Sequence, residues 1–159
     1  MSENTSAIAV IEDSAVSAAT LSNEIAALSH GQVSVFSTIT GTDFNSRVAV
    51  VDALGNSVPL GDNLGKTINL KDVVVQQIEM ADTASGELRS QPRITLIDAD
   101  GTSYHVISNV VFKDLKNFFG ILGMPANWPA PLPVVAESSK ATVGKFISLK
   151  IAKGAPAAK

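Results

Sequence analysis

The chain has 159 residues, of which 45% are hydrophobic, and a formal net charge of −3. This composition predicts one globular domain, and the negative charge means that a nucleic-acid partner would need locally clustered cations. The absence of cysteine excludes disulfides, thiolate metal sites and cysteine nucleophiles. No apolar run approaches the roughly 20 residues that span a bilayer, and the N-terminus lacks the pattern of a secretory signal. A soluble cytoplasmic protein with no membrane partner is therefore expected.

The N-terminal third is predicted to form a helix followed by a β-hairpin. The helix covers Ala15–Ser29, and its apolar side chains fall near one face: Val16, Leu21, Ile25 and Leu28. Such a helix would pack on the protein or contact another subunit. Alternation of Val33, Val35 and Ser37 with Ser34, Phe36 and Thr38, a strand over Arg47–Val51 and a return over Ser57–Leu60 predict the hairpin.

The remaining chain predicts five strands and one helix. The strands are Thr67–Ala81, Arg93–Asp98, Thr102–Ile107, Leu132–Ala136 and Thr142–Ala152. The helix covers Val110–Leu122, with Asn109 as its cap and its aromatic residues in the core. Asp82–Gln91 and Glu137–Ala141 are predicted loops, the first of them mobile. A proline-rich crossing surrounds Trp128, which is expected to plug one end of the core.

This order of elements is typical of an OB-fold. The predicted fold is mainly β with two helices, an OB-fold-like five-stranded Greek-key barrel with an N-terminal helix and hairpin extension. We expect a single domain over residues 1–159, with the extension in residues 1–66 packed on the core. The core would cover residues 67–152, and residues 153–159 would form a flexible tail.

No motif indicates catalysis or a cofactor. The sequence lacks a P-loop, a dinucleotide-binding fingerprint and a nucleophile elbow. His30 and His105 have no partner at ligand spacing, so a metal site is not expected. Asp98 and Asp100 resemble part of a calcium loop, but the later glutamate is missing, and Gly101 fits a tight hairpin turn instead. The sequence therefore predicts no catalytic residue, metal or cofactor.

The hairpin around that turn has two candidate registers. A three-residue loop pairs Leu96 with Tyr104 and Ile94 with Val106, which separates an apolar face from a mixed polar face. A two-residue loop would mix the two faces, so we favour the three-residue loop. The mixed face then carries Arg93, Thr95, Ile97, Ser103, His105 and Ile107.

A surface for single-stranded nucleic acid needs aromatic faces for bases and cations for phosphates. In the last strand, Phe146 and Lys150 share one face, and the neighbouring loops and strand ends add further cations. The predicted nucleic-acid-binding residues are Arg89, Arg93, Thr95, His105, Lys140, Lys145, Phe146 and Lys150. The alternative is that the N-terminal layer covers Phe146 and that the lysines are ordinary solvated charges.

The segment RITLIDADGTSYHVISNVVFKDLKNFFGILGMP, followed by the proline-rich crossing and a terminal strand, resembles the single-stranded DNA-binding proteins of small tailed bacteriophages. The resemblance covers residues 66–151. It implies an OB-fold-like protein that coats single-stranded DNA without strong sequence preference during phage replication in the host cytoplasm. Bacterial relatives end in an acidic tail, whereas this tail is basic, which leaves partner recruitment through the tail in doubt.

Three hypotheses about function follow. The first is a non-enzymatic single-stranded DNA-binding protein, with homo-oligomers and replication proteins as further candidate partners. The second is a virion or scaffold component, since the N-terminal helix and the low charge are compatible with self-association. The third and weakest is an enzyme with a site assembled from Asp98, Asp100 and His105.

Overall fold

The computed structural model describes residues 35–140 and 144–153. Strands make up 45% of it, and two α-helices and two short 3-10 turns complete it. In chain order the elements are β1 (Val35–Ser37), α1 (Phe44–Gly55), β2 (Val58–Pro59), a turn over Leu60–Asn63, β3 (Thr67–Ala81), β4 (Leu88–Asp98), β5 (Ser103–Ile107), α2 (Asn109–Leu122), a turn over Pro125–Asn127, β6 (Leu132–Lys140) and β7 (Lys145–Ile151).

The strands form one sheet in the order β2-β5-β4-β3-β6-β7, and β1 pairs with β3. The sheet curls into a half-barrel, so the predicted mainly β, OB-fold-like class with two helices is confirmed. The five predicted core strands appear as β3 to β7, with α2 between the third and the fourth. The Greek-key closure stays a prediction.

The hydrophobic core lies inside the curl of the sheet, beneath α2. On α2, Val111, Phe112, Leu115 and Phe119 are buried, so the prediction that its aromatic residues lie in the core is confirmed for Phe112 and Phe119. Phe118 is partly buried against the core, and Leu122 is 45% exposed. Phe119 lies between Phe36 and Trp128, with ring centroids 6.5 Å and 6.3 Å away. Trp128 packs on the core and its Nε1–H donates to the carbonyl of Gly123, so it closes one end of the core as expected.

The β4–β5 hairpin has the predicted three-residue loop. Leu96 pairs with Tyr104 and Ile94 with Val106, and the amide of Asp98 donates to the carbonyl of Thr102. Gly101 has φ 93°, the left-handed conformation that glycine adopts without a steric cost.

Both oxygens of the Asp98 carboxylate accept backbone hydrogen bonds, one from β3 and one from the turn. They accept the amides of Asn69 and Asp100, and Asp100 in turn accepts the amide of Thr102, which lowers the pKa of Asp100. No metal-binding group of three or more acidic or histidine residues occurs in the described ranges.

The predicted hairpin before Leu60 is wrong. Arg47–Val51 belongs to helix α1, and only the two residues of β2 form a return strand, which pairs in parallel with β5. The helix forms because Asp43 caps it: its carboxylate accepts the amide of Ser46 at 3.4 Å and the Ser46 hydroxyl at 2.6 Å. The predicted helix over Ala15–Ser29 and residues 154–159 of the predicted tail lie outside the described residues.

Several element boundaries also differ from the predictions. β4 begins at Leu88 and β6 continues to Lys140, so both predicted loops are shorter than expected. The cap of α2 is Ser108, whose hydroxyl accepts the amide of Val111, rather than Asn109. Among the described helices, none is long and apolar enough to cross a membrane.

Candidate nucleic-acid interface

A cleft of about 570 Å³ opens where the curled sheet is not closed. It lies between the end of β5, the start of α2 and the start of β7, because β5 pairs with β2 and β4 while β7 pairs with β6. Its lining residues are Gly61, Leu64, Gln91, Val106, Ile107, Ser108, Asn109, Val110, Ser138, Lys145, Phe146 and Ile147.

A second depression extends this cleft. It measures about 320 Å³ and is lined by Met80, Ala81, Asp82, Thr83, Arg89, Gln91 and Ile107. Gln91 and Ile107 line both spaces, so the two depressions adjoin each other. We call the combined surface the seam groove.

The seam groove carries cations near both ends and apolar and amide groups between them. Arg89 lies at one end and Lys145 beside Phe146 at the other. Ile107 is 41% exposed, and the Asn109 side-chain amide donates to the side-chain oxygen Oε1 of Gln91 at 3.1 Å. Flat apolar surface and a ring flanked by cations can hold bases and phosphates together.

The Lys145 end concentrates positive charge. Lys140 and Lys145 are both exposed and lie directly opposite each other where β6 and β7 meet. Like charges at directly opposite positions repel, and a bound anion removes that cost.

Two further cations of the predicted set are held by carboxylates. Arg89 lies 3.3 Å from Asp82, and Lys150 lies 2.8 Å from Glu137. The hydrogen bond from Lys150 lowers the pKa of Glu137, and the same bond raises the pKa of Lys150. A phosphate would have to compete with each of these carboxylates.

Five predicted residues do not line the seam groove: Thr95, Arg93, His105, Lys140 and Lys150. Arg93 donates to the Gln76 side-chain oxygen at 3.2 Å and to the Ser57 hydroxyl at 3.3 Å, and His105 Nδ1 lies 2.8 Å from the same hydroxyl. Thr95 is fully buried.

The predicted grouping of these side chains on one face is confirmed, since Thr95 pairs with His105. The expected exposure of Thr95 is wrong, because that face is covered. The Ser57 hydroxyl contacts Arg93 and His105 on this face, and α1 packs on β3 and β4 beside it. Of this face, only the end formed by Arg89, Gln91 and Ile107 reaches the groove.

Sequence reasoning missed Gln91, Ile107 and Asn109 as groove residues. The alternation of Arg89, Gln91 and Arg93 along one strand could have indicated Gln91, had the strand been started earlier. Asn109 was interpreted only as a helix cap.

A model of the family described as Phage Single-stranded DNA-binding protein matches residues 30–152. The chain belongs to this family. Searches of curated proteins and of solved structures gave no match. The family match spans all seven strands, so it includes both sides of the seam groove.

Thr95→Val tests whether the buried polar face takes part in DNA binding. The Thr95 hydroxyl oxygen is buried without a hydrogen-bond partner, so its removal should raise the free energy of unfolding by about 1 kcal/mol. We expect unchanged affinity for single-stranded DNA. Urea unfolding and oligonucleotide titration measure the two quantities.

Thr38→Val is the matched control for stability. The Thr38 hydroxyl donates to Asp72 and accepts the amide of Val73, so its loss should destabilise the protein by about 1–3 kcal/mol. A loss of DNA affinity in Thr95→Val with stability unchanged would contradict the assignment of Thr95 to a closed face.

Glu137→Gln tests whether the Lys150 ion pair competes with DNA. The substitution removes a negative charge and releases Lys150, so DNA affinity should rise roughly two- to fivefold at low salt. The logarithmic salt slope should steepen by up to about 0.7, the value for one added phosphate contact on a single strand. Because Lys150 lowers the pKa of Glu137, the difference from wild type should persist at pH 7 and shrink as Glu137 protonates in acid.

The double variant Glu137→Gln/Lys150→Gln is the control, since it should lose the gain. Equal affinities of Glu137→Gln and wild type at every salt concentration would show that Lys150 does not contact DNA.

Proposed function

We propose that this protein coats single-stranded DNA without strong sequence preference during phage replication in the host cytoplasm, and that it does no catalysis. The observation that carries the proposal is the seam groove, which is lined by Phe146 and Lys145, with Lys140 opposite Lys145 at the end of the β6–β7 pair. The membership of the phage single-stranded DNA-binding family supports the same partner.

The charge distribution supports DNA binding better than the net charge suggests. Of the 15 acidic residues, four lie before residue 35: Glu3, Glu12, Asp13 and Glu24. All 12 lysines and arginines follow residue 35, alongside the other 11 acidic residues. The part of the chain that forms the groove is therefore not repulsive to a polyanion overall.

Sequence tolerance follows from the kind of contacts that the groove offers. Cations bind phosphates whatever the base, and a phenylalanine ring stacks on every base because each has a π-face. The proposed contacts are Arg89, Lys140, Lys145, Phe146 and Lys150, with Gln91, Ile107 and Asn109 between them. Arg93 and His105 would act indirectly, by holding Ser57 and the covering segment in place.

Fluorescence anisotropy with labelled oligo-dT, mixed-sequence DNA, RNA and duplex DNA tests the proposal. We expect similar affinities for the two DNA single strands, weaker binding of the duplex, and a logarithmic salt slope of roughly −3 for four phosphate contacts. Absence of binding to any single strand at low salt would overturn it.

Sedimentation of the free and bound protein shows whether homo-oligomers form. Association with replication proteins, the other proposed partners, is tested by co-sedimentation on DNA-bound protein.

A further inference from the structure

Helix α1 has an unusual distribution of apolar side chains. Phe44, Val48 and Val51 are 79%, 44% and 68% exposed, and their spacing of four and three residues places them on one side of the helix. The buried residue of α1 is the small Ala53, which lies on the opposite side. Val50 and Leu54 are partly buried, whereas Phe44, Val48 and Val51 point away from the sheet.

Such a stripe is not the ordinary scatter of single exposed apolar residues. Three aligned side chains form a continuous apolar ridge, which is the kind of surface that another helix packs against. Arg47 lies next to the ridge, three residues after Phe44, and is exposed. We call Phe44, Val48 and Val51 the α1 stripe.

The N-terminal segment has the same pattern with the opposite charge. Leu21, Ile25 and Leu28 repeat the spacing of the α1 stripe, and Glu24 occupies the place that Arg47 has beside it. Residues 1–34 contain four acidic residues and no lysine or arginine. Two helices with matching apolar stripes and opposite flanking charges are complementary in both respects.

The connection favours contact within one chain. Residues 30–34 lead directly into β1, and five residues can span about 17 Å. Both β1 and α1 contact β3, and only residues 38–43 connect them, so the segment joins the described fold close to α1. A short tether gives an effective concentration in the millimolar range, which a second copy reaches only in concentrated solution.

We propose that residues 15–29 form a helix that packs on the α1 stripe of the same chain. Leu21, Ile25 and Leu28 then cover Phe44, Val48 and Val51, and Glu24 lies near Arg47. Residues 15–29 and α1 thereby form a layer of two helices whose inner helix is α1.

Disulfide trapping tests this contact cleanly, because the natural chain contains no cysteine. Ile25→Cys with Val48→Cys joins the middle residues of the two stripes, which are close whether the helices run parallel or antiparallel. We expect an intramolecular disulfide, seen as an oxidised monomer of altered gel mobility, whose rate of formation does not depend on protein concentration.

Ile25→Cys with Ala49→Cys is the matched control. Ala49 is exposed and adjoins Val48 in sequence, yet lies toward the other side of α1, so it should oxidise at least tenfold more slowly. Equal rates for the two pairs would overturn the proposal. Disulfide-linked dimers that form faster at higher protein concentration would show that a second copy occupies the stripe instead.

Charge reversal gives a readout that does not depend on the apolar residues. In the cysteine pair, Arg47→Glu should slow disulfide formation roughly two- to fivefold, and adding Glu24→Arg should restore it. Restoration by the second change separates loss of this contact from general misfolding. DNA affinity should be the same in all of these variants, so failure here is distinguishable from failure of the proposed DNA binding.

Discussion

Phe146→Leu is expected to weaken binding of oligo-dT by about 5- to 150-fold, because stacking of a base on an aromatic ring contributes about 1–3 kcal/mol. Leucine keeps most of the apolar bulk of Phe146 but has no flat π-face. Phe146 is partly buried on β7 and lines the seam groove next to Lys145. Anisotropy titration at fixed salt concentration measures the change.

Three features of the result would assign the loss to stacking. Phe146→Trp should retain or increase the affinity, since its ring is larger. The salt slope should stay unchanged in Phe146→Leu, because no phosphate contact is removed. Phe44→Leu, at a more exposed ring outside the groove, should bind like wild type.

A Phe146→Leu protein with wild-type affinity would exclude this ring from the interface. The cations of the groove would then have to supply the binding energy alone. In that case Lys140→Gln and Lys145→Gln should each flatten the salt slope by about 0.7.

Phe119→Ala is expected to lower the free energy of unfolding by about 3–5 kcal/mol. Phe119 is 9% exposed and joins three parts of the fold, since its ring packs between Phe36 of β1 and Trp128 of the proline-rich crossing. Its removal leaves a cavity that these anchored neighbours cannot fill. Urea unfolding monitored through Trp128, the one tryptophan of the chain, measures the loss.

Ile121→Ala is the control on the same helix. Ile121 is 83% exposed, so the change should alter stability by no more than about 0.5 kcal/mol. If Phe119→Ala does not fold, Phe119→Leu should show a smaller loss in the same direction. A loss no larger than that of Ile121→Ala would show that the aromatic contacts do not hold α2 on the sheet.

Local chemistry made the central hairpin predictable. The three-residue loop places Gly101 at the position that needs a positive φ, and Leu96 and Tyr104 then share a buried face. Strand β3 was predicted with its observed bounds. Its centre, Val73–Val75, is a continuous run of β-branched residues, which is typical of a strand that is buried on both faces.

Helix α1 shows where local reasoning failed. The run Arg47–Val51 is rich in valine, which favours strands, but Asp43 and Ser46 together provide a helix cap just before it. The sequence therefore contained a helix-cap signal, but the prediction followed the strand preference of the valines instead. Moreover, the apolar side chains of α1 are divided between an exposed side with Phe44, Val48 and Val51 and a buried side with Ala53, so the helix lacks the amphipathic pattern of a core-facing helix.

By itself, the sequence determined the strand register of β4 and β5, the core position of Leu115, Phe112 and Phe119 on α2 and the resemblance that the family match confirms. These features depend on neighbours within a few residues, or on one repeating spacing. Tertiary structure alone decided which polar residues meet water. Thr95 and Arg93 lost their expected exposure because Ser57 and α1 cover that face from elsewhere in the chain.

The seam groove is likewise a product of tertiary structure. Gln91 and Lys145 lie more than 50 residues apart, and they come together because the sheet curls without pairing β5 to β7. No local pattern encodes the position of an unclosed edge, since it depends on how strand pairing on both sides ends. Strand pairs and helix faces could therefore be predicted from the sequence. The groove between the unpaired strands β5 and β7 could not.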